Sequence, residues 1–159
     1  MHAGKSTSYA EFARQVGAAA AMLRGRGVKA GDRIGVMSEN HPAIIICFVA
    51  LARLGAIMVP VNPDYGLEEA GYVLRHAEVS GVLCSPQCLR VVQAACAAMP
   101  VRPWFLLNAG LPADAEPALQ QAAAGLSLFD EELAQPSLAD RADSTAGAAD
   151  DTCLFIYTS

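Results

Sequence analysis

The chain has 159 residues, enough for one domain with a real core. Apolar residues make up 53% and charged residues 17%, with a net charge of −5, which leaves no basic footprint for nucleic acid or an anionic membrane. The charge is uneven: up to Arg102 ten basic and seven acidic side chains give +3, and beyond it one basic and nine acidic give −8.

Ser8 followed three residues later by Glu11 is a capping-box pattern, and Phe12, Val16, Ala19, Ala20 and Leu23 continue a helical stripe that stops at Gly25-Arg26-Gly27. Gly4-Lys5-Ser6 looks like the tail of a phosphate-binding loop but lacks the earlier glycine and a preceding strand, so it is read as chance. Gly31-Asp32 is a turn, and Ile34–Met37 is long enough for a buried strand. Pro42 suits the first turn of a helix over Ala43–Leu54, with Asn40 or His41 as cap and Asn the better of the two. That helix is nearly all apolar and is expected to be buried on more than one face. Gly55 is the expected left-handed stop, and Ala56–Val59, ending at Pro60, is a second strand. Strand, helix, strand with tight connections calls for parallel pairing and a right-handed crossover.

Asn62–Gly66 is loop, and Leu67–His76 an amphipathic helix with Glu68-Glu69 at its positive end. His76 reads as a helix-end residue, not a catalyst. Gly81–Cys84 is a third strand, Ser85 caps a helix running to about Met99, and Pro103–Leu107 is a fourth strand with Trp104 as a packing residue. Asn108–Pro117 is loop, followed by helices near Ala118–Ala124 and Ser127–Leu133. Pro136–Asp151 reads as an acidic linker, and Asp130-Glu131-Glu132 as a solvated face more than a metal site. Thr152–Tyr157 is a fifth strand of buried type, after which the chain stops at Thr158-Ser159.

The pattern is α/β: a mainly parallel sheet with flanking helices. It divides into an α/β subdomain (1–107), an acidic loop region (108–151) and a last strand (152–159). The five cysteines, Cys47, Cys84, Cys88, Cys96 and Cys153, are odd in number and sit in apolar or helical runs, so reduced core thiols are expected, not disulfides or a metal site. No signal peptide is visible, and Ala43–Ala52 is far short of the ~20 residues of a membrane span, so a cytoplasmic protein is expected.

Four segments, in this order, resemble the adenylate-forming (AMP-dependent synthetase/ligase) superfamily. Thr7–Phe12 resembles its T/S-Y-x-E-L motif; Gly31-Asp32-Arg33-Ile34 with Asn40 resembles G-D-R-V…N; Leu54–Pro63 resembles G-A-x-x-V-P-x-N/D; Leu154–Ser159 resembles the approach to Y-T-S-G-T-T-G-x-P-K-G. The resemblance implies the first part of the large N-terminal domain of such an enzyme. It also implies that the complete enzyme uses ATP, Mg2+ and CoA to turn a small-molecule carboxylic acid, fatty acyl or related, into an acyl-adenylate and then a CoA thioester. Asn62 after Val61 is more like an acyl-CoA synthetase than a peptide-synthetase adenylation domain, which more often has Asp there.

By the same resemblance Thr158 and Ser159 belong to the phosphate-binding loop, whose glycines and lysine are absent here. The chain is therefore expected to be a fragment without catalytic residues or a metal site of its own. It is expected to be inactive alone, to hold no cofactor tightly, and to self-associate through uncovered apolar faces. A nucleotide-binding module of Rossmann or flavodoxin type is the first rival, weakened by the lack of G-x-G-x-x-G after any strand. A non-catalytic interaction module is the second. The acid activated is not legible.

Overall fold

The computed structural model describes residues 6–135 and 147–158. Eleven regular elements follow in chain order: α1 (Tyr9–Gly25), β1 (Arg33–Met37), α2 (Pro42–Arg53), β2 (Ile57–Val61), α3 (Leu67–His76), β3 (Gly81–Cys84), α4 (Leu89–Cys96), β4 (Trp104–Leu107), α5 (Pro117–Ala123), β5 (Ser127–Leu128) and α6 (Phe129–Leu133). The strands form one parallel sheet in the order β2-β1-β3-β4-β5. The expected pairing of the first two strands is present, with Ile34 opposite Met58 and Val36 opposite Pro60.

Side chains alternate between two cores, as a strand period of two requires. Ile34, Val36, Met58, Leu83 and Leu106 face one core with α1, α2 and the buried Phe129. Met37, Val59, Val61, Val82, Cys84 and Leu107 face the other with α3 and α4. Ser8 caps α1 by accepting the Glu11 N–H at 3.2 Å, while the Glu11 carboxylate turns away to Arg14 and Gln15 instead of closing the box. Gly55, at φ +69°, turns the chain out of α2, and its carbonyl accepts the Gly31 N–H at 2.7 Å. Only a residue without a Cβ enters that conformation cheaply.

Several expectations need correction. His41, not Asn40, caps α2: its Nδ1 accepts the Ala43 N–H at 3.2 Å. The imidazole acceptor sits on the residue directly before Pro42, whose fixed φ sets the helix start. Burial of α2 is confined to the stripe Ala43, Ile46, Cys47, Ala50 and Leu51, and Ile45 is 52% exposed. The helix after β3 opens with a 3-10 turn, Pro86–Cys88, and ends at Cys96; Ser85 makes no side-chain cap bond, its hydroxyl going to Cys88. Ser127 and Leu128 extend the sheet beside Leu106 and Leu107 instead of starting a helix, because the neighbouring Phe129 is fully buried and draws them in.

The expected fifth strand at Thr152–Tyr157 shrinks to one parallel bridge, Leu154 to Met58. Met58 N–H donates to Cys153 O and Phe155 N–H to Met58 O, each at 2.9 Å. The next ladder donor on that side of β2 would be the N–H of residue 60, which is a proline and has none. Phe155 and Ile156 are 39% and 68% exposed, so the run is not buried. Most of the expected linker (136–146), with residues 1–5 and Ser159, lies outside the described residues. Gly147 N–H donates to Arg53 O at 3.1 Å and ties the segment after it to the end of α2.

Candidate functional site

All parallel strands end on one side of the sheet, and β1, β2, β3 and β4 are each followed there by a short polar residue. Ser38, Asn62, Ser85 and Asn108 come directly after β1, β2, β3 and β4. The strand order diverges between β1 and β3, and crevices at such a point are where open α/β sheets hold ligands. Ser85 and Asn108 are 3% exposed. Asn108 Nδ2 donates to Ser38 Oγ at 2.6 Å, and that hydroxyl donates to Glu39 O at 2.7 Å. The Asn108 and Ser85 backbone N–H groups donate to Cys84 O and Met37 O. Asn108 Oδ1 is buried without a partner. This cluster was not singled out from the sequence, although its signal was present: one hydroxyl or amide directly after each apolar strand.

The cluster has donors and acceptors but no general base. The Cys88 thiol beside it is pushed up, first by burial and then by the carboxylates of Glu39 and Asp64, against a downward pull from its bond with Ser85. Burial also pushes Cys47 and Cys84 up to about 12 and Cys96 to about 11. Thiols held in the neutral form are poor nucleophiles and fit the core role expected of them. Among the described residues no group of three or more His, Cys, Asp or Glu side chains gathers to hold a metal ion. Asp130–Glu132 begins α6, and Glu132 instead forms an ion pair with Arg26 at 2.7 Å.

Thr158 is exposed, and Ser159 lies outside the described residues. The residue before Thr158 is anchored on α3. Tyr157 OH and His76 Nδ1 are 2.8 Å apart at the C-terminal end of α3. Tyr72 stacks on His76 with ring centroids 5.5 Å apart, and the Tyr157 ring stands edge-on to both. Burial is the first cause raising the Tyr157 phenol, with Tyr72 adding to it and Arg33 opposing. His76 is thus a helix-end residue, as its position suggested, but with a long-range partner 81 residues away.

A protein-family model described as AMP-binding enzyme matches residues 1–159. A crotonobetaine/carnitine–CoA ligase of Salmonella paratyphi A is 30% identical over 154 residues, 96% of this chain and 28% of that protein. The crystal structure of apo MatB from Rhodopseudomonas palustris is 30% identical with a TM-score of 0.70, over 99% of this chain and 28% of that one. The anthranilate CoA ligase AuaEII, solved with anthranoyl-AMP, reaches a TM-score of 0.79 at 18% identity over the same shares, a likeness of fold. The chain therefore spans about 28% of the length of these proteins.

Proposed function

The chain belongs to the AMP-binding enzyme family, and from that premise we propose that it is the opening part of an ATP-dependent, AMP-forming acid–CoA ligase. The observation that carries this reading is 30% identity across 96% of the chain to a CoA ligase. The reaction has two steps. A substrate carboxylate oxygen attacks the α-phosphorus of ATP, the bond to pyrophosphate breaks, and an acyl-adenylate forms. The CoA thiol then attacks the acyl carbon, gives up its proton, and AMP leaves.

Both steps depend on positioning and on neutralising phosphate charge. In this reading the hydroxyls of Thr158 and Ser159 donate to the β- or γ-phosphate. The exposure of Thr158 supports that role. The segment before Thr158 is tied to the sheet by the Phe155 N–H to Met58 O bond and to α3 by Tyr157, which supports this role for Thr158. In the complete enzyme Mg2+ would supply part of the charge neutralisation; among the described residues no group of three or more His, Cys, Asp or Glu side chains gathers to hold it. No helix among them is long and apolar enough to cross a membrane.

The test is pyrophosphate release from ATP with a panel of carboxylic acids, followed by CoA-dependent AMP formation. A protein extended to the length of the relatives is expected to carry out both half-reactions. The 159-residue chain alone is expected to carry out neither, and sustained turnover by it would overturn this division of labour. Pyrophosphate release without any response to CoA would instead favour a peptide-synthetase type of adenylation.

A further inference from the structure

We propose that His76 is a positioning residue for Thr158, acting through the hydroxyl of Tyr157. The inference rests on the reading of Thr158 and Ser159 as phosphate ligands. Backbone pairing of the last segment with the sheet ends at the Phe155 N–H to Met58 O bond. Ile156 is 68% exposed, and Tyr157 is only partly buried, its ring packed against the second core. Among the described residues, the anchor nearest Thr158 is the 2.8 Å bond between Tyr157 OH and His76 Nδ1.

The base of that anchor is rigid. Ala70, Gly71, Val73 and Leu74 bury one face of α3. Arg75 donates to Ala95 O at 3.2 Å, and Arg33 Nε donates to Ala77 O at 2.8 Å just past the helix end. Tyr72 stacks on the imidazole and limits its rotation. A neutral imidazole protonated on Nε2 accepts the Tyr157 hydroxyl at Nδ1; an imidazole protonated on Nδ1 donates to the phenol oxygen. The bond therefore survives either state. A ligand-contacting residue is held best when its neighbour is locked by such a supporting bond on a regular element. Here the supported residue is Thr158, one position along the chain from Tyr157.

The test uses His76→Phe, which keeps a stacking ring but no hydrogen-bonding nitrogen, Tyr157→Phe, which deletes only the hydroxyl, and His76→Gln, which can restore a bond. In the 159-residue chain, exchange of the Phe155 amide, the last one paired to the sheet before the anchor, is followed by NMR. Both Phe variants are expected to speed exchange about fivefold, the loss of roughly one net hydrogen bond, and His76→Gln to restore most of it. Unchanged exchange in both Phe variants overturns the anchor.

In the complete enzyme, His76→Phe is expected to raise KM for ATP several-fold while KM for the acid stays constant. If Thr158→Ala impairs ATP use and His76→Phe does not, the positioning role is overturned while the phosphate reading stands. If Thr158→Ala has no effect, the phosphate reading fails, and the exchange result alone decides whether His76 anchors the segment.

Discussion

Gly81 and Trp104 occupy paired positions of β3 and β4, and the Trp104 indole lies across the place where a Cβ on Gly81 would stand. The ring also carries the Arg26 guanidinium 5.4 Å from its centroid, a second contact that limits where it can move. Gly81→Ala is expected to destabilise the chain by about 1–3 kcal/mol, the usual cost of forcing volume into a packed site. In a Trp104→Ala background the same change should cost much less. Urea unfolding followed by circular dichroism checks both; equal costs in the two backgrounds would refute the steric origin.

The Asn108–Ser38 bond makes an asymmetric prediction. Ser38→Ala leaves the buried Asn108 amide with neither end paired, since its Oδ1 already lacks a partner. A cost of about 1–3 kcal/mol is expected for a stranded buried polar group. Adding Asn108→Leu removes the stranded group, so the double variant should be more stable than Ser38→Ala alone. The same urea measurements decide, and a double variant less stable than the single would count against this account.

The cysteines predict an alkaline limit. In the unfolded chain thiols ionise near the ordinary 9.0, whereas folded Cys47 and Cys84 ionise only at about 12 and Cys96 at about 11. Above pH ~9 the unfolded state therefore binds fewer protons than the folded state. Stability from this source is fully present below about pH 9 and is lost as pH rises towards 12. Replacing Cys47 and Cys84 with Ala or Ser removes their share, so unfolding midpoints between pH 8 and 10.5 should fall less steeply in those variants. A thiol reagent at pH 8 should label Cys153 first, because it is the one cysteine of the five not classed as buried.

Thr158→Ala tests the phosphate reading in the complete enzyme. Losing one charge-assisted hydrogen bond, ~1.5–3 kcal/mol, should slow the adenylation half-reaction by about one to two orders of magnitude. Thioester formation from pre-made acyl-adenylate should change much less. Equal losses in both half-reactions, with stability unchanged, would show that the hydroxyl does not serve the departing pyrophosphate.

The sheet was legible because its signals are local. Gly31, Gly55 and the apolar runs of β1, β2 and β3 announce themselves within a few residues. At the cap of α2 the sequence offered Asn40 and His41 and favoured Asn40, because Asn caps better on average, while His41 stands directly before Pro42 and takes the bond. Ser127 and Leu128 carry too short a pattern to show a strand; their place comes from Phe129 entering the core. The bond between His76 and Tyr157 joins residues 81 apart, and nothing at either position signals the other. Thr158 and Ser159 were picked out by resemblance to a motif, whereas Asn108 and Ser38 were passed over because single polar residues after strands are common.

Pro60 has a bearing on solubility as well as on where the last segment leaves the sheet. Phe155-Ile156-Tyr157 is the sort of β-prone apolar run that recruits identical copies of itself when it lies on an open edge. Continuous pairing along β2 would hold that run flat and extended, with its outer backbone groups presented to another molecule. Because residue 60 offers no N–H, the run is released after one bridge and Tyr157 swings to α3. A proline at an edge is one of the ways sheets avoid templating further strands. A single missing proton on the backbone of β2 thus ends the pairing of that run after one bridge.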